Sequence, residues 1–192
     1  MAGKCRACCA AAFCATLYRY LQPVDLHQSV EIRPATIDDT AAIAPFHLAC
    51  WQNAYSGLVP QDFIESLRRQ DRTQRWRERL EAPHDETHVA VAVETVVGLA
   101  TVGPINDRSP LPPVELRSLY VHADQYGTGL AQHLVEAALT GRAASLWVFE
   151  GNARARAFYG KHGWRPTGER RIDAGTRIPE LRLARPEALE PG

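Results

Sequence analysis

The sequence predicts an α/β domain with a mixed central β-sheet flanked by helices, and three observations carry that expectation. Apolar residues recur with a period of two in the middle and at the end of the chain and with a helical period elsewhere, so strands and helices alternate. The strand-like run Leu119-Tyr120-Val121 leads through two glycines into a helical pattern, as a strand-turn-helix unit would. The 192 residues suffice for one core of ordinary size and not comfortably for two.

The domain is expected to start with a short strand, Glu31-Ile32-Arg33-Pro34, stopped by its proline. Thr36-Ile37-Asp38-Asp39 reads as a helix start with Asp as cap, and Ile43, Phe46, His47 and Cys50 follow at helical spacing. A second helix is expected over 62–80, where Phe63, Leu67 and Trp76 alternate with many arginines on a solvated face. From His88 the period becomes two: Val89, Val91 and Val93, a tight turn near Glu94-Thr95, then 96–102, which together read as a β-hairpin. The proline-rich stretch 104–113 is a surface loop. A strand over 114–122, a glycine turn, a helix over 128–140, a strand over 144–149, a helix over 153–162 ended by Gly163, and strands near 164–172 and 178–184 complete the order βααβββαβαββ.

Residues 30–186 form this domain, with 187–192 as a tail. Residues 1–29 carry Lys4 and Arg6 before an apolar run that is too short to span a membrane and lacks a small-x-small cleavage site, so they read as a loosely ordered extension. Lys plus Arg and Asp plus Glu both number 22, which supplies neither a basic field for nucleic acid nor an acidic tail. No nucleic-acid or membrane partner is expected. Cys5, Cys8, Cys9 and Cys14 crowd at the start and only Cys50 lies in the body, a pattern of reduced thiols in the cytoplasm rather than a disulfide framework. Neither the Cys5-x-x-Cys8 pair nor His84 with His88 finds the further ligands a metal site needs.

The segment 119–131 is the most informative. Two glycines and an alanine let the backbone turn sharply and approach a ligand, while the free N–H groups of the helix start point at an anion. A phosphate or pyrophosphate site follows, in competition with a purely structural turn. A P-loop would place lysine after Gly129, where Leu130 stands, and a dinucleotide fold would place its glycines after the first strand and add a third.

The surrounding sequence resembles the GNAT superfamily, the Gcn5-related N-acetyltransferases. A Leu-Tyr-Val strand enters a Gln/Arg-x-x-Gly-x-Gly/Ala turn in that family, with Gly129 and Ala131 at its small positions here and Tyr126 at the Gln/Arg position, a departure. Downstream, residues 152–164 resemble the family's Asn-x-x-Ala-x-x-x-Tyr-x-x-x-Gly-Phe signature, with Trp164 for its phenylalanine. Asn152 and Tyr159 are two helical turns apart and share one face. The resemblance spans roughly 32–185 and implies a GNAT-like fold, acetyl-CoA as donor, and acetyl transfer to a primary amine by direct attack on the thioester. The alternative reading is a non-catalytic acyl-CoA sensor that keeps the cofactor site.

By the same resemblance, Leu119, Tyr120 and Val121 offer main-chain groups to the pantetheine arm and the thioester carbonyl. Tyr126, Gly127, Thr128, Gly129, Leu130 and Ala131 surround the pyrophosphate, and Asn152 reaches the same cofactor. Tyr159 is the candidate acid, better described as a hydrogen-bond donor to the leaving thiolate. Glu115 is the candidate base, and strand alternation places it on one face with Arg117, Leu119 and Val121. Trp51 and Tyr55, one helical turn apart in a Trp-x-x-Ala-Tyr-x-Gly-Leu-x-Pro segment, are candidates for the pocket of an unidentified amine acceptor. A homodimer is the assembly allowed for.

Overall fold

The computed structural model describes residues 30–69, 71–105 and 111–186. The predicted extension and tail therefore lie outside the described residues, as does the centre of the proline-rich loop. The chain runs through β1 (Glu31–Pro34), a 3-10 turn (Ile37–Asp39), α1 (Thr40–Tyr55), α2 (Gln61–Arg69), α3 (Arg72–Glu81), β2 (Glu86–Ala92), β3 (Thr95–Pro104) and β4 (Val114–Val121). A second 3-10 turn (Ala123–Gln125) leads to α4 (Leu130–Leu139), β5 (Ala144–Phe149), α5 (Ala153–Lys161), β6 (Arg165–Ile172) and β7 (Pro179–Arg185).

One expected helix is in fact two. The stretch over 62–80 breaks between α2 and α3, where the Asp71 side chain accepts the Gln74 N–H at 3.0 Å and starts a new helix. At the start of the domain, Arg33 grips both carboxylate oxygens of Asp39 at 2.8 Å, and Asp39 also accepts the Thr36 N–H at 2.7 Å. This fastens the entry of α1 to β1 and holds the Asp39 carboxyl below its ordinary range, chiefly through the Arg33 hydrogen bond. The hairpin turn is Val93-Glu94, with both residues at positive φ and Ala92 facing Thr95.

The seven strands are ordered β1-β2-β3-β4-β5-β7-β6. All neighbours are antiparallel except β4 and β5. That parallel pair meets only at Val114↔Ala144 and Glu115↔Ser145, after which the strands part. By contrast β5 stays paired with β7 along its whole length, from Ala144↔Arg185 to Phe149↔Glu180.

A bulge bends β4 where the strands separate. Its register against β3 jumps from Thr101↔Ser118 to Val102↔Leu116, leaving Arg117 as the extra residue. Arg117 is held by Asp85 at 2.8 Å and by the Pro104 carbonyl at 2.8 Å. Glycine beneath this clasp leaves it undisturbed, because a Cβ at Gly103 would lie 2.4 Å from Asp85 Oδ1 and 2.9 Å from Arg117 Cζ and would displace one or both side chains.

The bulge also corrects the expected alternation. Leu116 and Leu119 pack in the same core, so parity flips between them and Glu115 faces the opposite side of the sheet from Leu119 and Val121. On the Leu119 side, Leu130, Leu134, Val135 and Ala138 of α4 cover Ala100, Val102, Leu146 and Val148. On the other side, Ile43 and Phe46 of α1 and Trp76 of α3 cover Val89, Val96 and Leu99.

Candidate active site

Where β4 and β5 part, a cleft of about 470 Å³ opens between them. Beyond Glu115 one edge of β4 has no strand partner, so its main-chain donors and acceptors over 116–121 face the cleft instead of a ladder. Leu119, Tyr120 and Val121 are in its lining, as are Tyr126, Ala131, Asn152, Tyr159, Trp51 and Tyr55.

The turn at the end of the cleft is built from backbone. Gly127 and Gly129 sit at φ +81° and +90°, a conformation costly for any side chain. A Cβ on Gly127 would meet nothing within 4 Å, and one on Gly129 only the His133 ring at 3.7 Å, so the space in front of the turn is open. Gly129 caps α4 without a side-chain bond, and Thr128 Oγ1 takes only a long contact, at 3.3 Å, from the Leu130 N–H. The helix start thus presents amide hydrogens and its positive dipole end to that space. The Leu130 side chain is in the core, so any contact it makes with a ligand comes from its main chain.

At Tyr126, where the sequence departs from the family pattern, the Arg154 guanidinium lies over the ring 3.9 Å from its centroid. Arg154 also lines the cleft, and its charge acts on Cys50 and Tyr55. A cation therefore stands at the cleft mouth, delivered by α5. Sequence reading passed over it because it is separated from the turn by a helix and a strand.

Asn152 Oδ1 caps α5 through the Ala155 N–H at 3.0 Å, which leaves its NH₂ group as a donor toward the cleft. Tyr159, on the same helix, is 9% exposed, and its ring packs against Trp164 at 5.6 Å. Burial, and then the nearby Tyr55, push its hydroxyl well above the ordinary tyrosine range. Tyr55 and Tyr120 hydrogen-bond to each other and are raised for the same first reason. Three protonated phenols therefore line one space.

Trp51 and Tyr55 pack with tilted rings 4.5 Å apart and also meet Phe149 and Phe63, forming both a wall of the cleft and a small core of their own. Glu115, by contrast, is at the closed end of the strand pair opposite Ser145 and is not among the lining residues. The carboxylate in the lining is Glu180, paired across the sheet with Phe149. It is 7% exposed, and burial raises its pKa against the lowering effect of Arg171, which binds it at 2.6 Å. Its charge is felt at Tyr55 and Glu115 acts on it in turn, so the two carboxylates share one neighbourhood.

Comparison with known proteins agrees with this fold. The model of a family described as Acetyltransferase (GNAT) matches residues 51–164, more than half of the chain. An uncharacterised N-acetyltransferase of Bacillus subtilis, YuaI, is 27% identical over 168 residues, covering 82% of this chain and 94% of that protein. Among solved structures, the PaiA N-acetyltransferase of Thermoplasma acidophilum, in complex with coenzyme A, aligns with a TM-score of 0.66 at 20% identity over 82% of this chain and 99% of that one. YjaB of Escherichia coli, in its apo form, aligns with a TM-score of 0.58 at 25% identity over 83% and 99%.

Proposed function

The chain belongs to the GNAT acetyltransferase family and is an acetyl-CoA-dependent N-acyltransferase, and from that premise we propose how its own residues divide the work. Acetyl-CoA, when bound, supplies an activated acetyl thioester. The observation that carries the assignment is the parting of β4 from β5 over a turn whose glycines leave open space before the α4 amides. The amides around Gly129 to Ala131, with Arg154 beside them, would hold the pyrophosphate. The free β4 edge at 119–121 would take the pantetheine arm as an added strand, with an N–H of that edge polarising the carbonyl.

Tyr159 holds a proton where the sulfur leaves. Giving it up entirely to a thiolate is about 2 kcal/mol uphill for an ordinary tyrosine, and burial makes it more so, which supports a donated hydrogen bond that strengthens as charge grows on sulfur. For the base, the lining favours Glu180 over Glu115. Glu180 Oε2 accepts from Arg171, leaving Oε1 to take a proton from the incoming amine directly or through a water. Trp51 and Tyr55 would position the acceptor against the thioester.

Direct transfer is supported by Cys50, the cleft-lining thiol, which burial raises to about 12 and which therefore stays protonated near neutral pH. A cytoplasmic setting belongs to the same reading, supported by that free thiol. The test is free-thiol release from acetyl-CoA. Release should require an added amine, and a burst of one thiol per chain without amine would point to an acetylated enzyme and away from direct transfer.

A further inference from the structure

A second cavity, of about 490 Å³, lies on the other side of the β4 bulge and shares Trp51, Arg117, Ser118 and Tyr120 with the cleft. Its wall is built from one stripe of α3, where Arg72, Arg75 and Arg79 succeed each other at turn spacing, and from Arg117 at the bulge. Among the described residues, the lining holds these four guanidinium groups and one carboxylate, Glu78, while a second, Asp85, pairs with two of them from outside the lining. Asp85 holds Arg117 at 2.8 Å and reaches Arg79 at 3.9 Å, and Glu78 accepts from Gln74 at 3.1 Å.

Arg72 is the most exceptional of the four. Among the described residues it has no carboxylate partner. It donates instead through Nη2 to Nδ1 of the buried His47, a neutral acceptor. Its Nε, like Trp51 Nε1, is a buried donor with no hydrogen-bond partner among the described residues. Burial lowers both Arg72 and Arg79 from the ordinary guanidinium range. A partly desolvated guanidinium without a counter-ion is less favourable than one whose charge a ligand balances.

We infer that this cavity binds a carboxylate or phosphate carried by the acceptor, so that the physiological substrate is a small amine with an anionic group on the same skeleton. The inference rests on the reading of the neighbouring cleft as the donor site. Tyr126 and Ala131, which flank the glycine turn and line the cleft, are absent from this cavity's lining, which argues against coenzyme A's pyrophosphate as its occupant. Several electrostatic consequences point the same way. Arginine forks match planar carboxylates and phosphates. A cationic wall repels an ammonium and favours the neutral amine that attacks. It also disfavours polyamines, which lack a compensating negative charge.

The experiment begins by saturating the full chain with coenzyme A, measured by calorimetry, which occupies the donor site. Failure at that step would refute the donor-cleft reading itself. Inorganic phosphate is then titrated into the loaded protein. Phosphate should bind the wild type, bind Arg72→Gln roughly 10- to 100-fold more weakly, and bind Arg75→Gln a few-fold more weakly, a change at an exposed position that spares the fold. In parallel, kcat/KM is compared for O-phosphoethanolamine and β-alanine against propylamine and spermidine. The anionic amines should lead by at least about 10-fold, a lead that Arg72→Gln and Arg75→Gln reduce by raising KM. If none of the four amines is acetylated, the phosphate titration decides. Absence of phosphate binding to the loaded protein, or equal kcat/KM for amines with and without an anionic group, overturns the proposal.

Discussion

The two sides of the β4–β5 parting are built from different materials. On the proposed donor side the working parts are main chain: an unpaired strand edge, two glycines at positive φ and the first amides of α4. On the proposed acceptor side they are side chains brought from four elements: Trp51 and Tyr55 of α1, Arg72 and Arg79 of α3, Arg117 of β4 and Glu180 of β7. A backbone site demands small residues at fixed spacing and so leaves a mark on the sequence. A side-chain site can be assembled from any residues the fold brings together, which lets acceptor choice vary while donor binding stays fixed.

That contrast can be broken by mutation. The largest effect is expected for Gly129→Glu, which sets bulk and negative charge in front of the α4 amides. Acetyl-CoA affinity measured by calorimetry should fall on the order of 10²-fold or more, with far-UV circular dichroism checking that the helix still forms. Unchanged affinity in a folded variant would remove the turn from the donor site.

Next is Tyr159→Phe, expected to lower turnover on the order of 10²-fold while coenzyme A affinity stays nearly unchanged. A variant with wild-type turnover, under conditions where chemistry limits the rate, would reduce Tyr159 to a packing residue against Trp164.

A smaller, pH-dependent effect is expected for Glu180→Gln, about 10-fold near neutral pH. Because burial raises the Glu180 pKa, the wild-type base is lost as pH falls through that raised value. The variant should therefore be most impaired above that value and below the amine's own pKa, should converge with the wild type at lower pH where both lack the base, and should recover as rising pH supplies neutral amine. Glu115→Gln should lose less, and the reverse ranking in matched pH profiles would return the base to β4.

How much could be read from the sequence follows the same division. The strand-turn-helix unit and the placement of Asn152 and Tyr159 along one helix were legible because their spacing is a physical requirement of the turn and of the helix. The face of β4 that Glu115 occupies was not legible because a bulge at Arg117 adds one residue and inverts strand parity relative to Leu119 and Val121, which no local pattern reveals. Glu180 was overlooked because Glu and Arg alternating with Leu181 and Leu183 look like a solvated face, whereas β7 lies between β5 and β6 and is covered on both sides. The break before α3 did leave a signal, since Asp71-Arg72-Thr73-Gln74 has the spacing of a helix cap with a polar residue three places on. Arginines continuing through it hid that signal.

The central claim is that acetyl-CoA occupies the parting of β4 and β5, held by main-chain groups. Hydrogen–deuterium exchange with and without acetyl-CoA tests it most directly, because the amides in question are named. Slowed exchange is expected at 116–121 and 126–131, where edge and turn amides acquire partners, with little change along 72–79 until an anionic amine is added. Protection confined to 72–79, with the β4 edge and the glycine turn exchanging as fast as in the free protein, would contradict the account.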